Sequence, residues 1–583
     1  MAENTVNIIS LDGKGTRAAE PPAYFYQRFG STGECLSPSW PRITTQESEQ
    51  GFRPRDKGLR VLLINVPIRE WSKPNIMPIG QGYVGAVAAM DGHQLDILDL
   101  NAERREPVKD PPEVFTKWIE TRVVKKLESR KPDVIGLGGI ITQYGRMKMI
   151  AGICKRIYPD VPIILGGGIA SSMPEFMLAR MPIDIIVQEE GDVTISEVLH
   201  RIEMKASLEG TPGVVYRHQM RPGEWDIRNN GRRPSVVSRT LGLDVLPWPL
   251  RSAWPEEELY KYNPVGYLNR FTKWADGGTT QAGQYSVSMI ASRGCPYAGR
   301  ACDYCYAAYL GKQYRLRSPK EVVDEMESLK QQFGVVYIHF LDDLLMTDYR
   351  WALEWFEELR QRRKRTGFEV MWGGTCRSNI IADEVVRAKR EGRPNILEQG
   401  YEVGWRQAAY GLESASPTII KTIDKTGQTV EKMEIAVRET QRVLGYCDSG
   451  FMIASPGETK QTVQETVDFC KKVGLKPEVF FFTTAYPATA FWQLALEKGL
   501  IRKAVTGEKG PADDDIIEQY FLRLGEQGEE VRTNFSDLPD EEILDLASWA
   551  VNELGAPNTL HAHTSEQEAA RKPVLRSATQ ADV

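Results

Sequence analysis

Short apolar runs alternate with amphipathic segments in the first third of the chain. Continuous apolar runs of this kind are typical of strands that are buried on both faces. Helical periodicity separates the runs, for example over 113–130 and 145–157. This alternation predicts an α/β fold with a parallel, doubly wound sheet of flavodoxin type, which binds its ligand at the carboxyl ends of its strands. The five predicted strands are 59–66, 96–100, 133–139, 162–167 and 184–188.

A second alternating series starts with a predicted strand at 285–291. Six strand–helix units follow one another here, which predicts a partial (β/α)6 barrel, shorter than the barrel of eight units. In such barrels the chemistry lies on the loops that follow the strands. The later strands are predicted at 335–340, 368–374, 408–413, 448–454 and 478–485, and the clearest helices at 349–365, 429–444 and 460–473.

The segment 318–334 has the clearest helix boundaries in the chain. Ser318 is placed to cap the helix, and Pro319 suits its first turn. Glu321 is predicted to complete a capping box with Ser318. Gly334 follows the last apolar position and is predicted to end the helix.

Weaker patterns mark the rest of the chain. A stretch rich in Pro, Trp, Arg and Gly separates the two alternating series and is predicted to be a connector. A further helix is predicted at 538–554, and the polar residues after 556 are expected to be disordered. The five predicted regions are 1–57, an irregular extension; 58–205, the first α/β domain; 206–284, the connector; 285–505, the second α/β domain; and 506–583, a helical region with a disordered tail.

Composition narrows the class of protein. The 583 residues are 41% hydrophobic and 26% charged with a net charge of −6, the profile of a soluble globular protein. No apolar run is long enough to span a membrane, and the first residues do not resemble a secretory signal. We therefore expect a cytoplasmic protein with no membrane or nucleic-acid partner. Eight cysteines are too few for a disulfide scaffold in a chain of this length, so clustered cysteines point to metal binding or reactivity.

Three cysteines lie in one loop, directly after the first strand of the second series. The loop "RGCPYAGRACDYCY" contains Cys295, Cys302 and Cys305. Thiolates suit zinc or an iron–sulfur cluster. A structural zinc takes four protein ligands, and His339 is a candidate for the fourth. A four-iron cluster held by three cysteines keeps one iron open for a small molecule. The spacing alone leaves the open cluster, a structural zinc and a loop of reduced thiols as alternatives.

Several motifs in order resemble the cobalamin-binding radical S-adenosylmethionine enzymes, and the methyltransferase-like group in particular. The resemblance extends from about 59 to about 505. Two features depart from the family pattern. Six residues separate Cys295 from Cys302 where the family usually has three, and Glu189 stands where the family often has glycine. The motifs are the cysteine loop, "FLDD" (340–343), "GLESAS" (411–416), "SPGET" (455–459), and the segments 482–501, 80–101 and 164–175.

The resemblance implies three cofactors: a 4Fe-4S cluster, S-adenosylmethionine and cobalamin. It implies that Cys295, Cys302 and Cys305 hold the cluster, whose open iron binds S-adenosylmethionine. Arg377 is a candidate partner for the methionine carboxylate, with a surface arginine as the alternative. The residues expected near S-adenosylmethionine are Tyr304, Asp342, Asp343, Arg377, Glu413, Ser414, Pro456 and Gly457. Those expected near cobalamin are Arg69, Trp71, Thr142, Gly166, Gly167, Gly168, Glu190 and Gly191.

The reaction that the resemblance implies is methyl transfer, by way of methylcobalamin, to an unactivated position of a small molecule or peptide, in secondary metabolism. A second S-adenosylmethionine is cleaved reductively to a 5′-deoxyadenosyl radical, with a flavodoxin- or ferredoxin-type protein as electron donor. Two alternatives stay open: a non-methylating cyclisation or rearrangement with the same cofactors, and a non-catalytic corrinoid or iron–sulfur carrier. We expect substrate contacts from the connector, from 393–405 and from the C-terminal region.

The loop after the first strand contains no histidine to ligate cobalt from below. Many corrinoid proteins supply that ligand from an Asp-x-His-x-x-Gly motif at this position. The nearest similar sequence is Asp91-Gly92-His93, which precedes the second strand and ends in Asp96 instead of glycine. We therefore predict that His93 is a turn residue at the far end of the sheet and that cobalt has no histidine ligand.

Overall fold

Two sheets organise the protein, one in each half of the chain, and most of their strands run parallel. The predicted N-terminal extension, the predicted disordered tail, Arg69 and Trp71 lie outside the residues that the structure describes. The computed structural model describes residues 58–67, 77–102, 112–221, 224–233, 243–244, 246–254, 285–297, 301–306, 314–477, 480–524 and 531–555.

The first sheet confirms the predicted flavodoxin-type fold. Its five parallel strands have the spatial order β2-β1-β3-β4-β5, so the strand order reverses beside β1 as in that fold. The strands are β1 (Arg60–Asn65), β2 (Gln94–Asp99), β3 (Val134–Gly138), β4 (Ile163–Gly166) and β5 (Ile185–Val187). The helices are α1 (Ile79–Met90), α2 (Pro112–Ser129), α3 (Tyr144–Ile157), α4 (Gly168–Ser172), α5 (Pro174–Arg180) and α6 (Gly191–Glu203).

A hairpin that the sequence did not predict extends this sheet. Strands β6 (Val214–Arg221) and β7 (Glu224–Asn229) pair antiparallel beside β5, within the predicted connector. Most of their side chains are exposed, and only the first residues of β6 are buried. An exposed edge hairpin lacks the apolar run or clean alternation by which strands are found in a sequence.

The second sheet confirms the predicted partial barrel of six units. Its parallel strands follow chain order and are joined by helices that cover one face. The strands are β8 (Tyr285–Met289), β11 (Val335–Phe340), β12 (Met371–Cys376), β13 (Trp405–Glu413), β14 (Asp448–Ile453) and β15 (Phe480–Phe482). A separate antiparallel ribbon pairs β9 (Ser292–Arg293) with β10 (Arg315–Leu316). The helices are α7 (Pro319–Phe333), α8 (Tyr349–Thr366), α9 (Ser378–Glu391), α10 (Ile396–Glu402), α11 (Pro417–Thr422), α12 (Val430–Leu444) and α13 (Lys460–Val473).

A stack of tryptophans forms the core between the second sheet and its helices. The rings of Trp355 and Trp372 are 4.5 Å apart, and Trp372 stacks on Trp405 at 5.1 Å. All three side chains are fully buried. Burial of a large apolar side chain stabilises the fold by roughly 2–3 kcal/mol. The polar ends of the strands are thereby held on a rigid frame.

The boundaries of α7 are those predicted, but its capping box is not formed as predicted. Ser318 Oγ accepts a hydrogen bond from Glu321 N at 3.3 Å, and Gly334 ends the helix with a φ of 63°. Ser318 N donates to Asp244 Oδ1 at 2.8 Å, and Glu321 Oε2 accepts from Trp248 Nε1 at 3.4 Å. Residues of the predicted connector therefore take the place of the local partner, which only the tertiary structure reveals.

One part of the connector also joins the two domains. Leu250 N donates to Gly82 O of the first domain at 3.0 Å. Arg251 Nη2 donates to Ser288 O of the second domain at 2.8 Å and pairs with Glu325 at 3.2 Å. This part of the connector is thus a strap between the domains, and the charges of Arg251 and Glu325 are almost fully buried.

The C-terminal region packs on both domains. The Tyr144 hydroxyl of α3 donates to Glu518 at 2.7 Å, and the Tyr520 hydroxyl donates to Ala485 O at 3.0 Å. The helix predicted at 538–554 is present, whereas the helices before it were not predicted. No helix in the described parts of the chain is long and apolar enough to cross a membrane. Two helices close the second α/β domain, α14 (Ala490–Glu497) and α15 (Leu500–Thr506), and two follow in the described part of the C-terminal region, α16 (Asp514–Arg523) and α17 (Asp540–Glu553).

Candidate active site

The carboxyl ends of both sheets face one cavity of about 530 Å³. Its first wall comes from loops that follow β3, β4 and β5, and its second wall comes from the loops that follow β8 and β11. The strand ends of the two α/β domains thus meet at this cavity. The cavity places any ligand of the first domain against the root of the cysteine loop.

Glycines form the rim of the first wall. A Cβ atom at Gly166 would meet no atom within 4 Å, so this position opens directly into the cavity. Gly167 has a φ of +84°, and a Cβ atom there would lie 2.8 Å from Gly139 O. Backbone approaches this closely only where side chains are absent. Of the residues predicted near cobalamin, the rim contains Gly166, Gly167, Gly168, Glu190 and Gly191.

Thr142 is not among the residues that line the cavity, although it was predicted to contact cobalamin. Its neighbours Ile140 and Gln143 line the wall instead. Gln143 Oε1 accepts from Ile140 N at 2.9 Å, and Gln143 Nε2 donates to Val66 O at 2.7 Å. The short 3₁₀ helix Ile141–Gln143 changes the direction of the chain in this loop. The sequence alone therefore does not predict which residues of the loop line the cavity.

A deep apolar arm extends the cavity between the first sheet and helices α1 and α6. An apolar slot accepts a flat aromatic group, and a wide polar mouth accepts a larger polar macrocycle. Cobalamin combines these two parts in its nucleotide tail and its corrin ring, so the cavity fits cobalamin. The arm is lined by Val61, Leu63, Ala88, Leu95, Val134, Gly136, Ile164, Ile195 and Leu199.

His93 lies at the opposite edge of the first sheet. It follows α1 and precedes β2, and its side chain is buried. His93 Nδ1 accepts a hydrogen bond from Leu59 N at 3.2 Å, directly before β1. The predicted turn position at the far end of the sheet is confirmed, and the structure gives this histidine a local bonding role.

The cysteine loop leaves the second sheet through Gly294, whose φ of 81° suits glycine. Cys305 N donates to Cys302 O at 2.8 Å, which closes a tight turn between the last two cysteines. Cys295, Cys302 and Cys305 are partly buried free thiols, and burial raises the pKa of Cys295. Three such thiols in one loop fit a four-iron cluster, with each thiolate binding one of three irons. The insertion at 298–300 lies outside the described residues.

His339, the candidate for a fourth zinc ligand, lies within β11. Burial lowers the pKa of this histidine to about 4. Across the described parts of the chain, no group of three or more His, Cys, Asp and Glu side chains is arranged to hold a metal ion.

The two aspartates after β11 have different surroundings. Asp342 is buried and accepts hydrogen bonds from Ala291 N at 3.0 Å and Ser292 Oγ at 2.5 Å. Burial raises the pKa of Asp342 to about 6. Asp343 lines the cavity, and burial raises its pKa also. Asp343 therefore faces the site, whereas Asp342 holds the root of the cysteine loop.

A buried ion pair connects the cysteine loop to β13. The Tyr304 hydroxyl donates to Glu413 Oε1 at 2.9 Å, and Lys425 Nζ donates to the same oxygen at 2.7 Å. Lys425 Nζ also donates to the Tyr304 hydroxyl at 3.2 Å and to Gly411 O at 2.6 Å. Glu413 has a φ of 63°, a strained backbone conformation that is common at functional sites. Sequence reasoning missed Lys425, because no motif linked it to Glu413.

Arg377 is buried, so the alternative of a surface arginine is wrong. Its Nε donates to Asn379 Oδ1 at 2.9 Å, and its Nη2 donates to Thr426 O at 2.7 Å. The guanidinium lies 3.8 Å from the ring centre of Tyr297, two residues after Cys295. Arg377 thus supports the cysteine loop from the end of β12.

The remaining predicted contacts lie on the loops after β13 and β14. The Ser414 and Thr466 hydroxyls are 3.3 Å apart. Ser414 Oγ also accepts a hydrogen bond from Ser416 N at 3.1 Å, in the loop before α11. Gly457 has a φ of 79° and follows Pro456 in the next loop. Glu458 is buried beside them, and burial raises its pKa to about 7. These loops lie at the carboxyl edge of the second sheet, as predicted.

The segment 393–405 does not lie at this edge. It contains α10, whose buried residues Ile396 and Leu397 belong to the core on the helix-covered face. Because α10 leads directly into β13, it lies at the amino ends of the strands, away from the cavity. The expectation that this segment contacts substrate is therefore wrong.

Comparison with known proteins places two families on the two halves. The B12 binding domain matches residues 68–199, and the Radical SAM superfamily matches residues 289–470. An uncharacterized methyltransferase of Pyrococcus horikoshii is 26% identical over 451 residues, which cover 76% of this chain and 85% of that protein. An anaerobic magnesium-protoporphyrin IX monomethyl ester cyclase of Rubrivivax gelatinosus is 24% identical over 357 residues, covering 60% and 55%. A structure of the radical S-adenosylmethionine methyltransferase TsrM from Kitasatospora setae, with cobalamin and a 4Fe-4S cluster bound, has a TM-score of 0.55 at 18% identity and covers 90% of this chain and 100% of its own.

Proposed function

Because the chain is an enzyme of the cobalamin-binding radical S-adenosylmethionine family, we propose that it methylates an unactivated position of a small molecule or peptide by way of cobalamin. The observation that carries this proposal is the shared cavity. A glycine rim and apolar arm on one side face the root of the cysteine loop on the other. A substrate held between these walls would be close to both cofactors.

When bound, cobalamin would supply a transferable methyl group, and the cluster would supply the electron that cleaves S-adenosylmethionine. Cys295, Cys302 and Cys305 would hold the cluster. Asp343 lines the cavity, and its charge raises the pKa of Cys295, although less than burial does. We assign this aspartate to the ammonium of S-adenosylmethionine, since a partly desolvated carboxylate near the loop favours a cation.

The side chains around the cavity would also limit water access. Tyr83 is buried on the first wall, and Ile290 and Leu341 contribute apolar groups to the second wall. Closing an active site against solvent prevents side reactions of reactive intermediates. These residues would therefore protect the reaction without touching the cofactors' metal atoms.

The alternative of a cyclisation or rearrangement with the same cofactors has a specific observation in its favour. The Rubrivivax gelatinosus relative is named a cyclase and matches 60% of this chain. A non-catalytic carrier is less consistent with the complete six-stranded second sheet, since a carrier needs no substrate cavity. The mass of the product separates the first two functions, because methylation adds one methyl group.

The test is turnover by anaerobically reconstituted protein with reduced flavodoxin, which is our proposed type of electron donor. We expect S-adenosylhomocysteine and 5′-deoxyadenosine to form in a substrate-dependent manner, together with a product heavier by one CH2 unit, because methyl replaces a hydrogen atom. Formation of 5′-deoxyadenosine without methylated product would favour the cyclase alternative. No turnover of S-adenosylmethionine by protein that holds both cofactors would favour the carrier.

We place this reaction in the cytoplasm and in secondary metabolism. The seven cysteines in the described parts of the chain are all free thiols, which suits a reducing compartment. Neighbouring genes that encode a biosynthetic pathway would support the second assignment and would indicate the substrate class.

A further inference from the structure

The cysteine loop is closed at its base by the two-stranded ribbon. Arg293 of β9 lies directly opposite Arg315 of β10 in the antiparallel register. Every residue from 294 to 314, including the three cysteines, therefore lies between these two arginines in the chain. Two arginines in one register pair repel each other unless anions compensate them.

The anions come from the other domain. Arg293 Nη1 and Nη2 donate to the two carboxylate oxygens of Asp192 at 2.6 and 3.2 Å. Arg315 Nη1 donates to Glu190 Oε2 at 2.8 Å, and its Nη2 donates to Glu190 Oε1. Both pairs are bidentate, which fixes direction as well as distance. We call these four residues the neck quartet: Arg293, Arg315, Glu190 and Asp192.

The neck quartet is largely removed from solvent. The side chain of Arg315 is 2% exposed and that of Asp192 is 7% exposed. Burial alone would lower the pKa of Arg293, but attraction to Asp192 and Glu190 raises it overall. The guanidinium of Arg293 also lies 4.7 Å from the ring centre of Tyr83. A buried pair that loses one partner is strongly destabilised, so the four charges hold one another in place.

The acids of the neck quartet flank the glycine rim. Glu190 and Asp192 lie on either side of Gly191, and all three line the cavity that fits cobalamin. On the barrel side, Asp342 binds Ser292, the residue before Arg293. The base of the cysteine loop is therefore fixed to both domains at once.

We propose that the neck quartet is a clamp that sets the distance between the cysteine loop and the cobalamin site. Its members are positioning residues for both cofactors, and this role rests on the proposed function. Glu190 was predicted from the sequence to contact cobalamin, whereas in the structure its carboxylate forms an ion pair with Arg315. The clamp explains how two domains that bind separate cofactors can present them to one substrate at a fixed separation.

The test uses charge reversal in the full-length protein: R315E, E190R and the double exchange R315E/E190R. The control is R232E, because Arg232 pairs with the adjacent Glu189 at 3.1 Å within the first domain and is 61% exposed. Hydrogen exchange of the amides of 291–297 and 314–317 is measured in the protein without cofactors. In the loaded protein, the enhancement of cobalt(II) spin relaxation by the reduced cluster reports their separation.

We expect each single reversal to speed amide exchange at the neck about tenfold or more, since a buried charge loses its partner. The double exchange should return it to within about threefold of the wild type. R315E should weaken the spin-relaxation enhancement while R232E leaves it unchanged. No rescue by the double exchange, or equal loosening in R232E, would overturn the clamp.

Faster amide exchange at the neck in R315E with an unchanged spin-relaxation enhancement would overturn the positioning role. The neck quartet would then stabilise the fold without setting the distance between the cofactors. Wild-type protein that takes up neither cofactor would overturn the proposed function and, with it, the positioning role. The exchange measurement would still decide whether the clamp exists, so the two failures can be told apart.

Discussion

The two walls of the cavity are built on opposite principles. The first wall is shaped by missing side chains, with Gly166 and Gly167 at its rim and an apolar arm behind them. The second wall is fastened by charged side chains: Asp342 binds Ser292 at the root of the cysteine loop, and Glu413 of β13 binds Tyr304 within the loop. The comparison suggests that cobalamin, which binds as a complete molecule, needs an open cavity. The iron–sulfur cluster is assembled on a loop, so that loop must be held in place by side-chain contacts. Added volume should therefore harm the glycine rim of the first wall, whereas lost contacts should harm the second wall and the neck quartet that joins it to the first.

The largest effect is expected from Cys305→Ala, which removes a cluster ligand. Wild-type protein prepared anaerobically should carry about four iron and four sulfide per chain, and the variant should lose them together with all turnover of S-adenosylmethionine. The matched control is Cys470→Ala, which removes a free thiol on α13, outside the loop. Iron and sulfide analysis with visible absorbance measures the result. Stoichiometric zinc in place of iron in the wild type would contradict it.

Gly166→Leu should block the first wall without unfolding it. A side chain at Gly166 projects into the cavity and meets no protein atom within 4 Å of its Cβ. Overfilling a binding site costs about 1–3 kcal/mol, so we expect cobalamin to bind about tenfold more weakly or worse. Gly152→Leu is the control, since a Cβ there also meets nothing within 4 Å but lies on α3, outside the cavity. Equilibrium dialysis measures binding, and equal affinities in both variants would sink the assignment of this cavity to cobalamin.

Glu413→Ala tests the support on the second wall. It leaves the ammonium of Lys425 buried without its carboxylate, and both side chains are mostly buried, at 7% and 13% exposed. We expect a loss of about 3 kcal/mol in the free energy of unfolding, together with weaker binding of S-adenosylmethionine. Glu413→Gln/Lys425→Met removes both charges and should regain most of the stability.

The double variant separates two roles of Glu413. If Glu413 itself contacts S-adenosylmethionine, affinity stays low in the double variant even though stability returns. Recovery of affinity together with stability would show that the glutamate acts only by holding Tyr304. Chemical denaturation and isothermal titration calorimetry provide the two measurements.

The sequence was most informative where local patterns determine structure. Apolar runs predicted every strand of the parallel parts of both sheets, and the spacing of the cysteines located the loop. The helix α16 was missed because its buried residues Tyr520 and Phe521 are stabilised by packing against the first domain. The neck quartet could not be predicted either, because it depends on tertiary structure: Arg315 and Glu190 are 125 residues apart in the chain.

The smallest effect is expected from His93→Ala, which should leave the cobalt unchanged. His93 Nδ1 is occupied by Leu59 N at the amino-terminal edge of the first sheet. Loss of this hydrogen bond should cost about 1 kcal/mol in the free energy of unfolding, with no effect on the other edge. Cobalt(II) without a nitrogen ligand below it gives an electron paramagnetic resonance signal that lacks nitrogen splitting. We expect that signal in the wild type, in His93→Ala and in the control His218→Ala, whose histidine is exposed on β6. A nitrogen splitting that disappears only in His93→Ala would refute the prediction. It would also mean that cobalamin binds at the edge of the first sheet where His93 lies, and not at the carboxyl ends of its strands.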